Sequence, residues 1–392
     1  MNSTVGEVTF HTPRYCLGAL GLTVFCFLFA AGGGAAVKKQ VKPETGPLVS
    51  MALTNEAGLH QDWQIRLPVK VNDGEKTDRL FVFGPYLVVL TNQNYLSCRN
   101  CENGSFRFEM QIADKGLPVA DPLYVENRIV FLIGSQLKVL DPASGAIVRN
   151  TDLGWVGENR NECVAKNEKF IYMAGVDFRI HAFEKQEKGD YVQLFTATAD
   201  NDSEITSVLA TNDRVYFATL TGNIVAMQAD QPGKIWQYNA SGPVSAPLVY
   251  ENGVIYAGGL DTKLYKIDAQ TGALEWDIPF FAGDKLMHRP ELGKTVLYLN
   301  AGINGVYGIL KDTGKEVWNV PKGEATLCES GDRAYVYARP GVLVVMNNTT
   351  GKPVRSLNFG KVTRFARNMQ DAKMYVADDQ GRVACISVPT NP

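Results

Sequence analysis

Residues 244–279, VSAPLVYENGVIYAGGLDTKLYKIDAQTGALEWDIP, read as four short strands joined by turns. APLVYE alternates apolar and polar residues, Asn252-Gly253 supplies a hairpin turn, and VIYAGG is a β-branched and aromatic run that ends in glycines. LDT turns the chain again, and KLYKID places Leu264, Tyr265 and Ile267 among charged neighbours. AQTG forms a polar turn whose glycine can take a positive φ, and ALEWDIP is expected to be the fourth strand. A four-stranded meander of this length cannot bury both of its faces alone, so it requires copies of itself on either side.

The sequence supplies them. The glycine of the last turn recurs at Gly104, Gly145, Gly189, Gly233, Gly272, Gly314 and Gly351, in steps of 37 to 44 residues. The mean of about 41 falls in the range of propeller blades. An aromatic residue follows the glycine by two to four positions at Phe106, Tyr191, Trp236, Trp276 and Trp318, while Val148 and Val354 stand near that place in two other copies. After Gly351 the chain carries three further strands, around TRFAR, KMYVA and RVACISV, and no fourth. The missing strand is DWQIRL at residues 62–67, with Trp63 in the place of Trp276. Joining the two ends gives an all-β, eight-bladed propeller of four-stranded antiparallel blades over residues 62–392, a closure that removes open sheet edges.

Turns such as IDAQTGALEW and ILKDTGKEVW resemble the A-x-D-x-x-T-G-x-x-x-W repeat of the pyrroloquinoline-quinone-type (PQQ-type) β-propellers. That family contains quinoprotein dehydrogenases and non-enzymatic outer-membrane assembly factors of the BamB type, and the resemblance covers residues 61–388. It implies that Trp63, Trp236, Trp276 and Trp318 are structural, packed between neighbouring blades. In the dehydrogenase branch it would imply a longer chain and a quinone held between a tryptophan floor and a disulfide of adjacent cysteines, beside a calcium ion and an aspartate base. This sequence has no adjacent cysteine pair, and its short repeat steps leave no room for a substrate cap. The expectation is therefore a non-catalytic scaffold without a cofactor, closest in organisation to the BamB type, whose partners are other envelope proteins such as an outer-membrane assembly complex. A PQQ-dependent dehydrogenase, or a propeller that binds a small ligand or glycan over its channel, is the alternative.

The composition bounds the rest. Of 392 residues 45% are hydrophobic, enough for a large core, and 39 Lys and Arg against 41 Asp and Glu leave a net charge of -2. Nucleic-acid binding would require a basic field that this balance does not provide. Residues 1–36 form an export or anchoring segment: residues 15–37 are uncharged and 17–31 strongly apolar, and Gly34 and Ala36 offer small residues for cleavage. The segment is either a cleaved signal peptide or a retained anchor. Lys38, Lys39 and Lys42 follow it and only Arg14 precedes it, which opposes export by the positive-inside tendency. The envelope location of the repeat family argues the other way, for a periplasmic domain secreted across or anchored to the membrane by residues 16–36. Residues 37–61 lack periodicity and read as a flexible linker.

Candidate chemistry is sparse. Cys98 and Cys101 form a C-x-x-C at the turn between the third and fourth strands of the first blade, open to a local disulfide or to unpaired thiols. His181 and His288 are placed in blade strands, without a ligand neighbour at useful spacing, and no nucleophile, zinc or phosphate motif occurs. Partner contact is expected on the loops that join blades or join second to third strands. The candidate contacts there are Phe280 and Phe281, in a loop where two adjacent rings cannot both enter one core, with His288, Arg289, Arg364 and Arg367 adding polar contacts.

Overall fold

The computed structural model describes residues 44–152, 163–187, 190–198 and 203–388. They form eight four-stranded antiparallel sheets. In chain order blades one to seven span 77–111, 123–152, 164–198, 205–239, 249–281, 291–320 and 323–358. Blade eight takes three strands from 364–387, and His60–Arg66 completes it by pairing with Arg382–Ser387, Trp63 opposite Cys385. The mixed last blade read from the sequence is thus the one that closes the ring. The apolar segment 1–36 and Gly189 lie outside the described residues. Among those described, no helix is long and apolar enough to cross a membrane.

In four blades a tryptophan on the fourth strand, or on the segment leading to it, joins one blade to the next. Trp236 of blade four donates its indole N–H to the carbonyl of Ala269 in the turn of blade five at 3.0 Å. Trp276 does the same to Lys311 of blade six, and Trp63 of blade eight to Cys101 of blade one, both at 2.9 Å. Trp318 reaches the Asn348 side chain of blade seven at 3.0 Å. Three of the four indole faces lie on the turn glycine: a Cβ on Gly272 would stand 2.7 Å from Trp236, and one on Gly314 2.8 Å from Trp276. Both glycines have positive φ, +77° and +69°. Behind the ring a tyrosine of the second strand packs at 5.7 to 6.2 Å, as in Tyr298–Trp318 and Trp63–Tyr375. A buried indole contributes on the order of 3 kcal/mol, and its N–H requires a partner.

The strand register identifies the same slot in the other blades. Phe108 lies opposite Cys98, Phe195 opposite Ala182, Arg149 opposite Val139 and Arg355 opposite Val345, as Trp236 lies opposite Ala226. Phe106 and Tyr191 are therefore not the slot residues, and the expectation is corrected to Phe108 and Phe195. Val148 and Val354 also miss it by one. A one-residue bulge precedes the slot here as in blades four and six, and the slot side chain lies four positions after the glycine in blades one, two, six and seven alike.

Two further expectations change. The fourth strand of blade five is Phe280–Phe281, paired with Lys263 and Leu264. Residues 273–279 meet the third strand at their start alone, where the Ala273 carbonyl accepts from Asp268 N–H, Leu274 bridges to Ile267, and Glu275 bonds Lys266 through its N–H and faces its ammonium. Pro279 supplies no N–H to continue that ladder. The linker reading also fails from residue 44 onward. Met51–Glu56 is a short helix, and Leu48, Val49 and Leu59 are buried with Leu327, Tyr335 and Leu357 of blade seven. Leu59 stands four residues before Trp63, where other turns have glycine. A side chain fits there because the facing slot of blade seven holds Arg355 and no indole.

The glycine contact separates two costs. Gly253 also has positive φ, +83°, but open space around its Cβ position. Gly253→Ala should lose about 1 to 2 kcal/mol from backbone strain alone, whereas Gly314→Ala should lose roughly 3 kcal/mol or more because the methyl meets the Trp276 ring. Chemical denaturation of both variants checks this, and equal losses would remove the ring contact as the cause.

Candidate functional site

Because every blade is entered at its inner strand, the connections between blades and the turns between second and third strands share one end of the propeller. The first-to-second and third-to-fourth turns share the other. The second end is polar: Asp268, for example, accepts from Thr271 N–H at 2.7 Å and from the Thr271 hydroxyl at 2.8 Å, which holds its carboxyl below the usual range. Among the described residues, Leu117, Val176, Phe178, Leu220, Met287 and Ile303 are large hydrophobic side chains exposed in loops at the connection end, while Leu274 and Ile278 are exposed on the segment beside the third strand of blade five.

Three exposed apolar side chains flank the connection from blade five to blade six. Ile303 is 86% exposed, Phe281 69% and Met287 61%. The loop that carries them is tied from within. Asp284 accepts from Ile303 N–H at 2.9 Å and from Lys285 N–H at 2.8 Å, two bonds that lower its carboxyl pKa. Asn304 donates to the Ala282 carbonyl at 2.9 Å, so the loop of blade six and the connection stand side by side. Phe280 faces the other way, packing edge-on against Tyr307 at 5.3 Å in the core between blades five and six. Strand alternation therefore splits the expected aromatic pair. Phe281 remains a surface residue, and Phe280 is corrected to a half-buried residue packed against that core.

The polar candidates fall elsewhere. Arg289, Glu291 and Arg367 line a cavity of about 240 Å³ in the central channel with Val82 and Tyr250 from other blades. Arg367 reaches from blade eight to Glu291 of blade six at 3.3 Å. Burial raises the Glu291 carboxyl despite that partner, and raises Asp121 despite its bond to Arg79. Burial followed by the Arg367 charge lowers the pKa of His288, which sits in the connection and not in a strand. Arg364 is bound to the Thr363 carbonyl at 2.8 Å and faces Asp379 at 3.7 Å. The six candidates are thus not one surface: Arg367 balances a buried carboxylate, and Arg364 is engaged by its own blade.

Cys98 and Cys101 are free thiols. Cys98 points into the core between blades one and two with Phe108, and Cys101 into the core between blades eight and one with Trp63. The possible disulfide is corrected accordingly, since the two side chains leave opposite faces of one sheet. Burial pushes Cys98 up to about 12 and Cys101 up to about 11, the opposite of a reactive pair. Trp63, Trp236, Trp276 and Trp318 are all buried between blades, so none of the four forms a floor in the channel. The sequence also hid two features. Asp177 lies 3.0 Å from His181, four residues away across a turn. The tyrosine behind the slot recurs at Tyr172, Tyr216, Tyr256, Tyr298, Tyr335 and Tyr375, a spacing that could have been read beside that of the glycines.

A family model described as "Outer membrane protein assembly factor BamB" matches residues 184–325 and 220–391. The crystal structure of BamB from Moraxella catarrhalis is similar with a TM-score of 0.63 at 14% identity, covering 85% of this chain and 99% of that one. A computationally designed protein, Ika8, gives the same TM-score and identity over 84% of this chain and 100% of that one. At such identity these two likenesses concern the fold alone. No curated protein is significantly similar in sequence.

The thiol geometry has a direct readout. Without reductant, native protein should take up no maleimide at Cys98 or Cys101, and denatured protein should take up label at both, as peptide mass spectrometry reports. A recovered peptide linked through the two cysteines would overturn the assignment.

Proposed function

We propose, from the premise that the chain belongs to the family described as the outer membrane protein assembly factor BamB, that it is a non-catalytic scaffold of the cell envelope, docking a membrane-embedded partner through the connection end of its propeller. The observation that carries this reading is the gathering of exposed apolar loop tips at that end, opposite an end made of polar turns. Patches of this kind mark contact surfaces, and single exposed hydrophobes do not.

Residue 44 is held at the same end of the propeller. Glu44 bonds through its N–H to Gln380 at 2.8 Å and through its carboxylate to Arg382 at 2.7 Å, at the connection end. Periplasmic location, anchoring and partnership with an outer-membrane assembly complex are parts of this proposal.

A photo-crosslinking residue at Ile303 in native cells should yield an adduct with an integral membrane protein, and one at Thr271 on the opposite end should not. Phe281→Asp combined with Met287→Asp should lower the Ile303 adduct at least tenfold. Equal adducts from both ends would sink the reading, as would a tightly bound quinone with substrate-dependent dye reduction.

A further inference from the structure

In every blade the turn between second and third strands, at the connection end, holds a residue of positive φ. It is glycine at Gly134, Gly222, Gly305, Gly341 and Gly381, asparagine at Asn94, threonine at Thr262, and phenylalanine at Phe178 of blade three, with φ +63°. A left-handed backbone is free for glycine and costly for a residue with a bulky side chain. In the asparagine and threonine cases the adjoining connection holds the turn. Asn94 donates to the carbonyls of Asp114 and Leu117, both at 2.8 Å, and the Thr262 carbonyl accepts from Ala282 N–H at 2.8 Å.

Phe178 has no such hold. Among the described residues its N–H bonds within its own hairpin, to the Gly175 carbonyl at 3.0 Å, and its ring joins neither of the buried clusters that flank blade three. The ring is 40% exposed and Val176 61%, so burial does little to offset the backbone cost. The tip is nevertheless fixed. Gly175 N–H closes the hairpin on the Arg179 carbonyl at 2.8 Å, and Asp177 accepts from Arg179 N–H at 3.3 Å and faces the His181 ring at 3.0 Å. The hairpin therefore holds an aromatic ring outward in a conformation that folding alone disfavours. A strained residue with no compensation inside the fold points to compensation outside it.

We propose that Phe178, with Val176, is the anchor by which the connection end recognises its protein partner. The ring enters an apolar pocket of that partner, and Arg179, exposed and without an ion pair among the described residues, meets a carboxylate at the pocket's rim. A protein pocket rewards a ring whose position is fixed before binding, because less ordering remains to be done. A fluid lipid surface accepts the ring in any orientation, so a strained backbone gains nothing there. The proposal rests on the scaffold reading and names the anchor of that same end.

Phe178→Gly separates folding from recognition. It should leave the melting temperature unchanged or raise it by up to about 2 °C, since the turn regains the residue most blades use. A photo-crosslinking residue at Val176 in native cells should form an adduct with the same integral membrane protein as the one at Ile303, and Phe178→Gly should lower it about tenfold or more. Phe178→Tyr, which keeps the ring, should retain it. A melting temperature lowered by more than about 2 °C in Phe178→Gly would show the ring to be compensated within the fold, and would overturn the proposal. So would a Val176 adduct that is unchanged in Phe178→Gly, lost equally in Phe178→Tyr, or formed with lipid alone. A protein adduct at Ile303 with none at Val176 removes the anchor and leaves the scaffold reading standing, whereas loss of both adducts removes both.

Discussion

An indole lying on a glycine is the contact on which this propeller depends. The ring can close against the next blade only if the facing turn has no side chain and can take a left-handed backbone, and glycine alone meets both conditions cheaply. The indole N–H then finds a carbonyl in the same turn, so burial of the ring leaves no donor unpaired. Blades four, five and eight are thereby each bonded to the next by a contact between an indole and the facing turn. Where the indole is absent the partner changes with it, as Leu59 replaces glycine opposite Arg355.

The same repeat leaves the two ends of the ring chemically unlike. Turns between third and fourth strands must carry Asp, Thr and Gly to close tightly, and their side chains are spent on their own backbone. The connections between blades carry no such obligation. Their tips can be apolar at no cost to the core, and this is where the exposed side chains gather. The channel offers less freedom, because Arg367 and Glu291 must neutralise each other across an inner strand that both are partly buried against.

The particular misreadings share one cause. The first aromatic residue after the glycine predicts the slot at Phe106 and Tyr191, but the register puts it at Phe108 and Phe195, and aromatic type alone does not separate the two positions. Phe280 and Phe281 were read as a loop pair, yet strand alternation sends one ring inward and the other out. The C-x-x-C was legible as a motif and silent about direction, since whether its two thiols face one another depends on which side of the sheet each strand position faces. Residues 44–59 lack periodicity because they cover the flank of a finished blade without repeating any element.

The repeat period, the turn chemistry and the strand missing from one end and present at the other determine a closed eight-bladed ring from sequence alone. These are local signals, each read within one blade's length. Tertiary structure decided which side chains meet: Arg149 and Arg355 in slots made for rings, Leu59 in the place of a glycine, Ile303 beside Phe281. Such pairings join residues from different blades, and their partners are set by register and bulges that local sequence does not encode.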